Sequence, residues 1–403
     1  MKAMARTLGW VGFSSLLVFV ACASTKQNGA GDVGTDPQAG SSGSAGTAPS
    51  SATAGQAEAG DGGASGPVTD APDAGAGGNA GEPDPPIEPL CVRCLTVAES
   101  QGDIRDLKAT AFGPYWIDHG TYDDNHVYQG NGRLVTRSAS NGAVREIARN
   151  LPGPIALAVT RNYSYLIVDE AGLSQQAVIR VQDVGGPPEV VKIFGPDDVP
   201  SAVGASDGDG YFLEKLEDGR TTLSVSHDSG SGVPTILAEN VGSGGVLADS
   251  GNVFTFVDNK QDPLVLRVSP SGGAPMPFFS PSGVMRPIGG DDQNIYGIEQ
   301  TVDAKQRFVR MSRSGTDHSR SAPVDPGVSY AVYESGFFVS QPITRDSAES
   351  PIAAEIIQGR FSDSAQIRPL YVGPPDSAQY IAGAIDGLYF AGNGSVHLVP
   401  YLK

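Results

Sequence analysis

The chain predicts an all-β protein: a β-propeller of about seven four-stranded blades, carried behind a disordered N-terminal tether. Three observations predict it. Composition breaks near residue 90. Beyond Leu95 no stretch keeps a 3.6-residue apolar period. Over the same residues, two kinds of turn recur at one interval of about 42 residues.

The composition break sets the domain boundary. From Gln27 to Leu90 the text is Gly, Ala, Ser, Pro, Thr and Asp, with almost no large apolar side chain. Such a segment cannot bury enough apolar surface to offset the entropy of ordering it. It is expected to be a flexible acidic linker over residues 23–90, with a reach of roughly 40–50 Å. Residues 91–403 remain, a length suited to one large all-β domain.

Residues 1–22 read as an export signal. Lys2 and Arg6 make a basic start, and Leu8 to Ala21 is an apolar run. That run falls short of the ~20 residues a membrane span needs, and suits the apolar core of a signal peptide. It ends in Phe19-Val20-Ala21-Cys22, which resembles the bacterial lipobox, with Phe19 where the pattern prefers Leu. The resemblance implies cleavage before Cys22 and acylation of that cysteine, so that the chain meets a membrane through its lipid anchor. The other reading is ordinary cleavage after Ala21 or Ala23, with release as a soluble protein. Ala23 and Ser24, in place of an aspartate after the cysteine, point to the outer membrane, on its periplasmic or surface side. The tether, with 19 Arg to 8 Lys in the whole chain, is similar to those of lipoproteins from predatory soil bacteria of the myxobacterial type.

The net charge of -18 argues against nucleic acid as a partner, since the phosphate backbone would repel both tether and domain. Its ordinary role is solubility at a crowded cell surface.

With Cys22 lipidated, Cys91 and Cys94 remain as one CxxC. Leu95 stands where a c-type haem needs His, and no second CxxC or paired His completes a zinc site. Pro-rich coil, rather than a strand, precedes the motif, unlike a thioredoxin-type dithiol. The expected state outside the cytoplasm is a local Cys91–Cys94 disulfide that stiffens the start of the domain.

The repeats carry the fold. The first unit is a turn of Asp, Asn, Glu or Gly, followed by an aromatic or aliphatic pair. Its copies are Asn125-His126-Val127-Tyr128, Asn162-Tyr163-Ser164-Tyr165, Gly210-Tyr211-Phe212, Asn252-Val253-Phe254, Asn294-Ile295-Tyr296, Gly336-Phe337-Phe338 and Gly387-Leu388-Tyr389-Phe390. The second unit is a Ser/Gly turn between two strands, as at Ser269 to Gly273 and Ser312 to Gly315, with another at Phe361 to Ser364. Gly, Asn and Asp tolerate the positive φ of tight hairpins. An aromatic pair in a strand sends its side chains to opposite faces, so it can fill the space on both sides of a blade. The last unit has too few strands for a blade, and Leu95 to Ala98 is expected to supply the missing one and close the ring. This pattern resembles propellers of the NHL or YWTD-like kind over residues 95–403. It is specific for architecture and nearly silent on activity.

No hydrolase, metalloprotease or nucleotide-binding motif is present. Trp116 is a core aromatic or a ligand-stacking one. His227 and His318 fall at turns. Asp207-Gly208-Asp209 lacks the remaining ligands of a calcium loop and reads as a hairpin turn, as do Asp123-Asp124 and Asp291-Asp292. Catalytic residues are none, and metal and ligand positions are not readable. The expected function is a surface-tethered binding or scaffolding module, monomeric, for an envelope or extracellular protein or glycan. The alternative is a propeller hydrolase or lyase with calcium in the channel, and no other cofactor is expected.

Overall fold

A computed structural model describes residues 89–401, apart from 92, 112, 139–140, 170–174, 207, 231–232, 250, 260, 302, 334–335, 345–349 and 362–366. Cys22 with its lipobox, Asp207, and residues 362–364 of the sixth Ser/Gly turn lie outside the described residues.

All regular elements described are strands. The chain begins with β1 (Leu90–Cys91) and β2 (Leu95–Ala98). Blade 1 is β3 (Ile104–Thr110), β4 (Gly113–Asp118), β5 (Gly132–Arg137) and β6 (Val144–Leu151). Blade 2 is β7 (Pro154–Val159), β8 (Tyr163–Val168), β9 (Ala177–Gln182) and β10 (Glu189–Ile193). Blade 3 is β11 (Val199–Ala205), β12 (Asp209–Lys215), β13 (Thr221–His227) and β14 (Thr235–Glu239). Blade 4 is β15 (Val246–Ala248), β16 (Val253–Val257), β17 (Leu264–Val268) and β18 (Met276–Phe279). Blade 5 is β19 (Met285–Gly290), β20 (Asn294–Gln300), β21 (Gln306–Ser312) and β22 (His318–Arg320). Blade 6 is β23 (Ser329–Tyr333), β24 (Gly336–Ile343), β25 (Ala353–Arg360) and β26 (Arg368–Gly373). Blade 7 is β27 (Tyr380–Ala384), β28 (Gly387–Gly392) and β29 (Ser395–Pro400), with β2 as its outer strand.

The ring closes as the sequence predicts. Leu95 pairs with Leu398, Thr96 with His397 and Ala98 with Val396. The innermost strands touch in an unbroken circle, β3–β7–β11–β15–β19–β23–β27–β3. One strand is unexpected: β1 adds to the outer edge of blade 6, with Leu90 opposite Val372 and Cys91 opposite Tyr371. The chain therefore steps from the rim of blade 6 to the rim of blade 7, and the Cys91–Cys94 disulfide spans that step.

The core is divided among the blade interfaces. Seven apolar clusters fill seven interfaces, each drawing on two adjacent blades. Neighbouring residues of a second strand enter different clusters, as period-2 geometry requires. Tyr115 packs towards blade 2 and Trp116 towards blade 7. The residues packing towards the next blade are Tyr115, Tyr165, Tyr211, Phe254, Tyr296, Phe338 and Tyr389. This corrects the repeat in blade 1. Asn125 to Tyr128 lies in the loop between β4 and β5, and the true second strand is β4, which opens with Gly113-Pro114. The loop held its own strand-like signal because Tyr122 and Tyr128 form an isolated bridge across it. Trp116 is fully buried and donates Nε1–H to Gln101 Oε1 at 3.0 Å, so it is a core aromatic.

Candidate binding site at the channel mouth

Antiparallel blades sort their connections onto two faces. The turn face carries the tight turns after first and third strands. The loop face carries the loops after second strands and the links between blades.

On the turn face the turn aspartates act as pins. The Tyr115 hydroxyl donates to Asp183 of blade 2 at 3.0 Å, and the Tyr165 hydroxyl lies 3.1 Å from Asp228 of blade 3. Tyr296 and Tyr389 reach Asp291 and Asp386 in their own blades. Burial first, then the facing carboxylate, pushes the Tyr115 and Tyr389 hydroxyls up to about 12. Burial does the same for Tyr165, with Asp228 adding to it. A cleft of about 520 Å³ between blades 2 and 3 contains Asp183 and Asp228. Asp228 also accepts Thr160 Oγ1 at 2.7 Å, and Asp183 accepts Ser164 Oγ at 3.2 Å, so protein donors serve both carboxylates. The remaining turn residues are ordinary. Asp291 Oδ1 accepts two backbone N–H groups at 2.8 Å, and His227 is exposed beside Asp209. Asp123, in the loop after β4, caps its own turn in the same way.

On the loop face, three residues past the aromatic that packs forward, four second strands place a polar side chain where others place Val or Gly. They are Asp118, Glu214, Glu299 and Gln341. Asp118 accepts the N–H groups of Asp103 and Gly120 and is gripped by Arg133 at 2.6 Å. Glu214 accepts Lys192 and Thr222. Glu299 accepts Ser282 and Arg320. Burial would raise the Glu299 carboxyl, but Arg320 and Ser282 override it and hold it below its ordinary value. Each of these three meets a cation and at least one further donor. Gln341 does not: its Nε2 donates to Glu355 at 2.9 Å, while its Oε1 is closed off from solvent and, among the described residues, has no donor.

Gln341 lines a cleft of about 330 Å³ between blades 6 and 7. Tyr380 and Arg105, from the starts of the innermost strands β27 and β3, and Val328, just before the innermost strand β23, place this cleft at the mouth of the channel. Pro342, Pro351 and Ala353 give it an apolar wall, and Asp376 and Gln379 add polar groups. Arg105 is engaged by Asp103 at 2.6 Å. Burial raises the Tyr380 hydroxyl. Few polar groups converging on an apolar concavity is the general form of a small recognition site.

A second loop-face cleft, of about 430 Å³, lies over blade 1 around Asp118 and Arg133, whose charges already satisfy each other. Beside it His119 is buried between Tyr122 and Tyr128, its Nε2 3.5 Å from Asp169 and its Nδ1 without a partner. Among the described residues no three His, Cys, Asp or Glu side chains come together as a metal-holding group.

None of the channel-mouth residues was marked by the sequence alone. The signal available was the repeat itself, since Gln341 follows Phe338 by the same three residues that separate Glu299 from Tyr296 and Glu214 from Tyr211.

No protein-family model and no curated protein matches the chain. Solved structures do match it in shape. The oligogalacturonate lyase of Vibrio parahaemolyticus aligns with a TM-score of 0.55 at 7% identity, over 78% of this chain and 97% of that one. An oligogalacturonate lyase in complex with manganese aligns at 0.54 and 8%, over 78% and 96%. TolB from Acinetobacter baumannii aligns at 0.45 and 10%, over 60% of each chain. At these identities the likeness to the two lyases concerns the fold alone.

Proposed function

We propose that the protein is an exported binding module, anchored to the outer membrane through Cys22, whose propeller holds an envelope or extracellular partner at the channel mouth. The observation that carries this reading is the cleft itself: a concave, partly apolar wall onto which the polar residues Gln341, Asp376, Gln379 and Tyr380 converge.

The test is comparative capture. The purified full-length protein and its Ala353→Trp variant, which fills the cleft, are immobilised and exposed to solubilised envelope of the producing cell. A partner retained by the wild type and lost by the variant supports the reading. Equal retention by both, or none by either, overturns the assignment to this cleft. Metal analysis of the same sample addresses calcium directly.

A further inference from the structure

We infer that the cleft between blades 6 and 7 takes a basic side chain, an ammonium or guanidinium group on an aliphatic stem, presented by the partner. This rests on the binding reading above and names the chemistry of its ligand.

The argument starts from the amide of Gln341. An amide offers one acceptor and two donors, and its orientation is fixed only by its partners. Here Gln341 stands directly across from Glu355 in the β24–β25 pair, and its Nε2 donates to that carboxylate. A carboxylate only accepts, so the amide is held with Nε2 towards Glu355 and Oε1 turned from it. The atom of Gln341 left without a partner is therefore an acceptor, and buried beneath the cleft surface it adds to the negative potential there.

The groups around it add up the same way. Asp376, at φ 60° in the link between β26 and β27, is exposed and lines the cleft, and among the described residues it forms no ion pair. Glu355 places a second negative charge behind the amide. Among the described residues Arg105 is the one cation of the lining, and Asp103 holds it through both Nε and Nη2. Among the described residues the site thus presents acceptors and negative charge. Tyr380 adds an aromatic ring, and ring faces attract cations. The apolar wall of Pro342, Pro351 and Val328 suits the methylene stem of Lys or Arg, which buries along such surfaces while its head finds polar partners. A volume of about 330 Å³ accommodates one such side chain.

The probe is acetyl-Gly-Lys-Gly-amide, with its Arg and Glu counterparts, titrated into the full-length protein by ligand-observed NMR. The Lys or Arg peptide is expected to bind and the Glu peptide not. Gln341→Leu and Asp376→Asn should each weaken the basic peptide at least fivefold. Asp124→Asn, which makes the same charge change on an exposed loop, should leave it unchanged. If the Glu peptide binds as well as the Lys peptide, or if Asp124→Asn weakens binding as much as Asp376→Asn, the inference fails. If no basic peptide binds while Ala353→Trp still abolishes envelope capture, the ligand class is wrong and the binding reading survives. If neither occurs, both fail.

Discussion

Replacing Glu299 by Ala removes a carboxylate that is 1% exposed and that joins three parts of blade 5. Ser282 reaches it from the link before β19, Arg320 from the outermost strand β22, and Glu299 itself sits on β20. Breaking a buried pair by deleting one partner costs about 3–5 kcal/mol. Arg320 is 28% exposed and regains some water when released, so about 2–3 kcal/mol is expected. For a domain of this size that corresponds to a fall in Tm of roughly 3–5 °C. The loss should also depend on pH. The folded carboxyl titrates below its ordinary 4.5, so its contribution is complete above 4.5 and fades as pH falls through the folded value. Thermal unfolding followed by circular dichroism at pH 7 and at pH 3.5 measures both effects. The gap between wild type and variant should be full at pH 7 and smaller at pH 3.5. An unchanged Tm at pH 7, or a gap that stays constant with pH, would refute the claim that this carboxylate ties the blade together.

Three further perturbations test the frame. Tyr165→Phe removes the hydroxyl beside Asp228 and should cost about 1 kcal/mol in urea unfolding. Because buried tyrosines here titrate near 12 against 10.0 unfolded, wild-type stability should be complete below pH 10 and fall between 10 and about 12, less steeply in the variant. Gly210→Ala would set a methyl 2.6 Å from the Tyr165 ring across the blade 2–blade 3 interface, so a loss of about 1–3 kcal/mol is expected by the same assay. Joint replacement of Cys91 and Cys94 by Ser should cost roughly 2 kcal/mol, the chain-entropy value for so short a loop, and should raise amide exchange at Leu90 and Leu95 first.

What the sequence revealed and what it hid follow from the range of the interactions. Turn chemistry is local, so Gly, Asp and Asn at one interval disclosed the blades, and the shortfall in the last one disclosed that Leu95–Ala98 completes it. The phase of the aromatic pair was less secure. In a strand whose two faces are both buried, either member can face forward. Tyr211 and Tyr389 do so, although Phe212 and Phe390 follow them. Blade 1 misled further, because a loop with its own Tyr122–Tyr128 bridge imitates a strand. β1 is two residues long and carries no period at all. The site depends on Gln341 meeting Glu355 across a hairpin and Asp376 from the following link, and no spacing in the chain announces that meeting.

The most direct test of the account is hydrogen–deuterium exchange on the full-length protein with and without its captured partner. The account predicts protection on the loop face, at Ser340 to Pro342, Ala353 and Ala354, and Asp376 to Tyr380, with the turn face unchanged. Protection confined to the turn face or to the outer strands would place the partner elsewhere on the ring and contradict the assignment.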